Sequence, residues 1–235
     1  MLSIVIPTLN EKDYLPLLLE SIKKQNFRGE YELIVSDAGS EDNTIEIAEN
    51  FRCKIAQGGW PGKGKNEGAK LANGDLILFV DADVVLPEDF IEKNLKEFWL
   101  KKIDVASFCL QSANKIHNFL FEILFNFPSK ITENFLPQVM NIILVKKDLH
   151  QKIGGFDEEI KLGEELDYVR KGAKIGKFGV LKSVKIFASP RRFQQDGWFK
   201  TWSKYFLCQF YMLFFGPVKS DIFKYRFNHY KNKKT

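Results

Sequence analysis

Asp81 and Asp83 stand two residues apart, directly after five apolar residues, in the stretch LILFVDADVVLP from Leu76 to Pro87. Alternate residues of an extended chain project to the same side, so the two carboxylates can act together. Two hard oxygen ligands suit Mg2+ or Mn2+, which can bridge to a diphosphate and neutralise the charge of a leaving group. The plainer reading makes Asp83 the cap of a helix that begins near Pro87. Against it, a carboxylate placed straight after an apolar run is costly unless it is paired or metal-bound.

Three other stretches carry residues of similar promise. In SDAGSEDNT, Asp37 follows an apolar run, where a carboxylate can accept hydrogen bonds from a nucleobase edge or a ribose. Asp, Gly, Ser and Asn are also what turns require, and Asp42 or Asn43 can cap the following helix. QGGWPGKGKNEG has the glycines of a phosphate cradle, which let backbone N–H groups approach an anion. Its spacing is not that of a P-loop, because three residues separate Gly58 from Gly62 and Gly64 replaces the required Ser or Thr. Glu67 stands where a dinucleotide fingerprint needs its third glycine, and a plain flexible turn fits equally well. Glu164 and Glu165 open GEELDYVRK, where acidic residues of a first helical turn sit well against the helix dipole.

These residues need elements to hold them. SIVIP, YELIVS, KIA and LILFV read as strands, alternating with the helical stretches EKDYLPLLLESIKKQ, TIEIAEN and AKLANG. Pro16 is tolerable only near the start of the first of these helices. The alternation predicts βαβ units and a mostly parallel sheet over residues 1–100. Beyond it, DVASFCLQ and QVMNIILVKK read as strands and KIHNFLFEILFNF as an amphipathic or buried helix. GEELDYVRKGAKIG is a helix with a glycine near its end, and WFKTWSKYFLCQFYMLFF a helix of unusual aromatic content. Ligands of open α/β sheets collect beyond the carboxyl ends of the strands. Four such ends carry PTLNE, SDAGSEDNT, QGGWPGKGKNEG and DAD, which predicts a site on one rim.

Whole-chain properties bound the function. The 235 residues, 45% hydrophobic and 28% charged, suffice for one domain with an appendage. The mean hydropathy of -0.22 excludes global disorder. A net charge of +5 favours phosphate-bearing ligands or an anionic membrane surface, and no dense Lys/Arg run interleaved with aromatics points to nucleic acid. Cys53, Cys109 and Cys208 are odd in number and lack zinc-type spacing, as expected of reduced thiols in a cytoplasmic protein. His117, His150 and His229 are isolated and read as structural or surface residues. Leu2–Pro7 is too short for a signal peptide, and no stretch approaches the roughly 20 apolar residues of a spanning helix.

Taken together, SIVIPTLNE, ELIVSDAGSEDNT, GKGKNEGAKLANGDLILFVDADVVLP, GGFDE and GEELDYVRK occur in an order and spacing that resembles the family 2 glycosyltransferases. The resemblance runs from Leu2 to Arg170, and SPRRFQQDGW extends it to Trp198. It implies a GT-A fold, a UDP- or GDP-sugar donor, Mn2+ or Mg2+, and inversion at the anomeric carbon. It further implies a glycosyltransferase domain over 1–195, with a nucleotide-binding half at 1–100 and an acceptor-side half at 101–195. By the same resemblance Pro7, Leu9 and Glu11 belong to the nucleotide pocket, Asp37 faces the base, and Lys65 lies near the nucleotide. Asp81 is placed by the donor sugar or ribose and Asp83 on the metal. Glu164 and Glu165 match the family's Glu-Asp pair, whose second member commonly acts as base, and Arg191 and Arg192 resemble a basic pair that meets phosphates.

Two departures stand out. Ala38 occupies a position where the family often has a second Asp, and Glu165 is one methylene longer than the usual Asp. A glutamate can still remove a proton, provided it reaches hydrogen-bond distance. An already ionised lipid phosphate would need no base, and the acceptor can be a glycan or a polyprenyl lipid. Other readings are a nucleotide-sugar or glycan-binding module without turnover, and a sugar-nucleotide pyrophosphorylase. The latter begins with a glycine-rich first loop bearing Arg and Lys, whereas this chain has PTLNE.

The appendage at 196–235 joins an aromatic helix to a basic flank of Lys219, Lys224, Arg226, Lys231, Lys233 and Lys234. Such a helix can lie in a membrane interface through 198–219, giving a peripheral contact. It can equally be a core helix or a homodimer contact.

Overall fold

The computed structural model describes residues 1–112, 114–139, 142–187, 197–220 and 222–223. The nucleotide-half elements are β1 (Leu2–Thr8), α1 (Leu15–Lys23), β2 (Tyr31–Asp37), α2 (Thr44–Asn50), β3 (Lys54–Gln57), α3 (Pro61–Lys70), β4 (Leu76–Val80) and α4 (Phe90–Leu100). There follow β5 (Val105–Gln111), α5 (Lys115–Phe121), a π turn (Glu122–Asn126), α6 (Phe127–Thr132), β6 (Ile142–Lys146) and α7 (Lys147–Ile153). The last are α8 (Glu164–Ile175), β7 (Phe178–Phe187) and α9 (Trp198–Phe215).

The seven strands make one sheet in the order β3-β2-β1-β4-β6-β5-β7. The pairs β1–β2, β1–β4, β2–β3 and β5–β7 are parallel, while β6 runs antiparallel to β4 and β5. The fold is therefore α/β with a mostly parallel central sheet flanked by helices, and the sheet is continuous through both halves of the chain.

Period-two alternation sorts the core onto the two faces of this sheet. Ile4, Ile6, Leu76, Leu78 and Val80 pack with Leu15, Leu18 and Phe90 on one face. Val5, Ile77 and Phe79 pack with Phe156, Tyr168 and Val169 on the other. Strands buried on both faces read as continuous apolar runs, which is why LILFV shows no polar alternation.

From Pro61 onward the glycine-rich stretch is a helix rather than a flexible turn. Pro61 occupies its first turn, where the missing N–H costs nothing. Its glycines serve close packing: a Cβ on Gly68 would lie 2.3 Å from Val5 Cγ1. The Ser36 hydroxyl donates to the Gly64 carbonyl at 2.6 Å, pinning α3 over the end of β2. Position 65 is thereby fixed above the sheet's carboxyl rim.

Helix α4 answers the helix expected near Pro87, whereas three elements have no counterpart in the sequence expectations: α6, α7 and β7. The last is an edge strand whose first four residues are buried and whose Lys182 and Ser183 face outward, which breaks the apolar pattern. Among the described residues no helix is long and apolar enough to cross a membrane. Cys53, Cys109 and Cys208 are free thiols, and burial pushes Cys208 up to about 11 and Cys53 to about 12.

Candidate active site

The register of the first three strands brings their carboxyl ends level. Thr8 pairs with Asp37, and Asp37 with Gln57. Asp37 is only 5% exposed, and its carboxylate accepts from four donors. The Gly39 and Ser40 N–H groups reach Oδ2 at 2.9 and 2.7 Å, and the Thr8 hydroxyl reaches Oδ1 at 2.9 Å beside the Ser40 hydroxyl. Asp37 thus shapes the loop that follows β2. Two of its four donors are hydroxyls, which can rotate in favour of a ligand donor.

The loop after β1 interlocks with the loop after β2. Asn10 takes a left-handed conformation at φ 54°, its N–H donates to Ser40 Oγ at 2.7 Å, and its Oδ1 accepts from the Glu41 N–H at 2.8 Å. The Glu11 N–H donates to Thr44 Oγ1 at 2.8 Å. Asp42, not Asn43, receives the first free N–H of α2, from Thr44 at 3.1 Å. Pro7, Leu9 and Glu11 accordingly line the same rim as Asp37.

A second cluster sits where β4, α3 and α8 meet. Lys65 is 2% exposed, with Nζ 3.2 Å from Glu164 Oε1 and in contact with Glu165 Oε1. Burial alone would pull this lysine's pKa down. The charges of Glu165, Glu164 and Asp81 outweigh it and hold the ammonium well above its ordinary range. Asp81 rises too, which in a carboxylate disfavours the charged form: burial, then the Glu165 charge, raise it, against partial relief from Lys65, with Asp83 and Glu164 adding to the rise. Four carboxylates and one ammonium therefore share one electrostatic site. Helix α4 begins only at Phe90, next to Asp89, so Asp83 lies well short of any helix it could cap.

Glu164 and Glu165 do open a helix, as the sequence suggests, but not as solvated charges. Gly163 precedes them at φ 80°, a left-handed turn that favours glycine, and aims both side chains at Lys65. Lys65 itself is turned toward this pair, an arrangement between residues about a hundred positions apart. Arg191 and Arg192 lie outside the described residues.

Residues that sequence reasoning missed support the cluster from below. Asn66 clasps the GGFDE loop: its Oδ1 accepts from the Phe156 N–H at 2.8 Å and its Nδ2 donates to the Phe156 carbonyl at 2.9 Å. Phe156 then lies under Lys65, with Nζ 5.4 Å from the ring centroid, a cation–π geometry. Tyr168 stacks on Phe156 at 4.0 Å, and its hydroxyl lies 2.8 Å from His150 Nδ1. Only the adjacency of Asn66 to Lys65, and the phenylalanine in GGFDE, hinted at this layer.

Burial pulls His150 from its ordinary 6.5 to about 4. Between those values the unfolded chain binds a proton that the folded chain refuses, so stability falls as pH falls through that window. The expected loss is up to about 3 kcal/mol, seen in urea denaturation carried from neutral to acid pH, and His150→Gln should flatten that part of the profile.

Among the described residues no three His, Cys, Asp or Glu side chains converge to hold a metal ion on their own. What is present is hard carboxylate oxygen in a field that one lysine does not balance. That fits a cation of the Mg2+ type, which takes one or two protein carboxylates and completes its shell with phosphate oxygens and water.

The fold is GT-A, shared with a Staphylococcus aureus TarS fragment (residues 1–349) solved with UDP, at a TM-score of 0.66 and 23% identity over 82% of this chain and 62% of that one. A Pyrobaculum calidifontis mannosyltransferase solved with GDP-Man and Mn2+ gives a TM-score of 0.69 and 18% identity, over 90% of this chain and 63% of that one. The family model for glycosyl transferase family 2 matches residues 3–150, and the chain belongs to that family. In sequence it is 38% identical over 100 residues to the S. aureus poly(ribitol-phosphate) β-N-acetylglucosaminyltransferase TarS, covering 39% of this chain and 17% of that protein.

Proposed function

We propose that this chain transfers a sugar from a nucleoside-diphosphate donor to an acceptor, by a single inverting displacement that requires a divalent metal ion. The observation that carries the reading is the convergence of Asp81, Asp83, Glu164, Glu165 and Lys65 on one rim of the sheet, beside the loops that hold Asp37. The donor nucleoside would lie against Pro7, Leu9, Glu11 and Asp37, with its sugar or ribose toward Asp81. Asp83, with Asp81 beside it, would hold Mg2+ or Mn2+, which when bound supplies charge neutralisation at the diphosphate. Arg191 and Arg192 would add positive charge to the departing phosphates.

Glu165 would take the proton of an acceptor hydroxyl as that oxygen attacks the face opposite the diphosphate. Lys65 engages the Glu165 carboxylate and partly offsets its charge at Asp81. Glu164, held by the same ammonium, would position rather than react. The relatives support a UDP- or GDP-sugar and Mn2+, since one is solved with UDP and another with GDP-Man and Mn2+. A glycan or a polyprenyl phosphate suits the acceptor side, and a peripheral membrane contact through 198–219 would favour the lipid.

One observation favours a second reading, binding without turnover: the candidate base is engaged by a buried lysine. A thermal-shift screen of nucleoside diphosphates with and without Mn2+ tests the first. UDP or GDP should raise Tm only when Mn2+ is present, and Asp83→Ala should lose that metal-dependent increment while keeping the wild-type Tm without ligand. If no nucleotide shifts Tm, the transferase reading falls. If nucleotides shift it but no sugar is ever released from UDP- or GDP-sugars, the binding module stands instead.

A further inference from the structure

The helix that runs from α5 through the π turn into α6 is apolar on its outer side as well as on the side where Phe121 and Phe125 meet the core. Ile116, Phe119, Ile123, Phe127 and Ile131 are 48–71% exposed, and Phe135 just beyond is 72% exposed. Between residues 116 and 133 every exposed residue is apolar. Asn126 is buried and the half-exposed Glu122 is paired. Asn126 donates to the Leu110 carbonyl and accepts from its N–H, both at 2.8 Å. Glu122 is shared by Lys130 at 2.6 Å and Lys185 at 2.8 Å. A surface helix that faces water carries polar and charged residues on its outer face instead.

The outward residues recur at steps of three and then four. At about 100° per residue a step of four advances by roughly 40°, so the stripe would wind around a regular helix. The π turn at Glu122–Asn126 is wider than an α turn and takes up part of that drift. It keeps Phe119, Ile123 and Phe127 in one line while Asn126 still reaches β5.

Helix α9 shows a second such face. Phe206, Leu207, Phe210, Leu213, Phe214 and Phe215 are 50–72% exposed, and no charged residue lies between Lys204 and Lys219. Charge is divided along the chain in a matching way. Residues 1–100 hold 11 Lys and Arg against 18 Asp and Glu, whereas residues 101–235 hold 24 against 12. Both apolar faces thus belong to the basic part of the chain, whose other part is acidic.

We propose that the stripe Ile116, Phe119, Ile123, Phe127, Ile131 and Phe135 docks the protein on an anionic bilayer surface, as an interfacial element distinct from the C-terminal helix. A bilayer takes an apolar stripe that offers no polar rim and no hydrogen bonds, and its anionic headgroups answer the basic charge. A protein partner would be met by roughly one hydrogen bond per 100–200 Å² of interface, and this stripe supplies no exposed donors for them. The inference deepens the lipid-acceptor reading above, which it would place at the membrane surface, but the docking itself does not need turnover.

Flotation of the full chain with vesicles separates the outcomes. The wild type should float with phosphatidylcholine vesicles containing about a third phosphatidylglycerol, and not with pure phosphatidylcholine. Phe119→Ser/Phe127→Ser should lower the floated fraction at least about tenfold, with Tm and the nucleotide-induced thermal shift unchanged. Ile123→Asp should give the same loss by charge rather than by area. The proposal fails if the wild type stays unbound, if both variants float like the wild type, or if sedimentation shows a dimer that the variants dissolve. Vesicle binding without any nucleotide shift would overturn the transferase reading and leave the docking surface standing.

Discussion

Glu165→Gln is expected to lower kcat on a hydroxyl acceptor by about 10²–10⁴-fold, the usual contribution of a positioned general base. Glutamine keeps the shape of the side chain and an oxygen for Lys65, so Tm and the affinity for donor nucleotide should stay near wild type. The loss should fall on kcat and kcat/KM together, because proton removal matters only in the transition state. Glu164→Gln should cost far less, since that carboxylate is assigned a positioning role, 3.2 Å from the ammonium. Single-turnover transfer with a fixed donor measures both. A phosphate acceptor, already ionised, would show no such drop, and the contrast between acceptors therefore reports which class the site was built for. Full activity of the Gln variant on a hydroxyl acceptor would sink the assignment of Glu165 as base.

Much of this site is written in local sequence, and the reason is the α/β architecture. Strand ends are marked by abrupt changes from apolar to polar residues, as at Val80–Asp81, and parallel strands deliver all such ends to one rim. Asp37, Asp81, Asp83 and the loop after β1 could therefore be placed together without coordinates. The partner of Lys65 could not. It is supplied by residues about a hundred positions later, and only the crossing of α8 over the sheet brings them close. Nor was Asn66 legible as a clasp, because its partner is a backbone group of another loop.

The glycine-rich stretch shows a different limit. Glycines that permit a loop also permit a helix to approach a strand closely, and only Val5 beneath Gly68 decides between them. The outward stripe of the α5–α6 helix shows another. Periodicity shows that a helix has an apolar side, but not whether that side meets the core, as buried Phe121 and Phe125 do, or faces away as Phe119 and Phe127 do.

Lys65→Met should destabilise the protein by about 3–5 kcal/mol, the usual cost of removing one partner from a buried ion pair. Methionine fills nearly the same space above Phe156, so the loss measures charge rather than a cavity. Glu164, Glu165 and Asp81 are left facing one another with no cation between them. For a chain of this size the corresponding fall in Tm is on the order of 10 °C. Solution pH offers no substitute for the mutation. The lysine's pKa is raised above its ordinary 10.5, so its contribution is complete below that value and is lost only as pH rises through the still higher folded value. Lys65→Arg should retain most of the stability, because a guanidinium fork can serve both glutamates and stack on Phe156. The combination Lys65→Met/Glu165→Gln should recover part of the loss, with a coupling of about 0.5–3 kcal/mol between residues that touch. Urea denaturation of the four proteins closes the cycle. A single Lys65→Met variant within about 1 kcal/mol of wild type, the range of ordinary substitutions, would show that the carboxylates do not depend on this lysine. If the dependence holds, the ammonium that orients the candidate base is also what lets four carboxylates stand around one donor site.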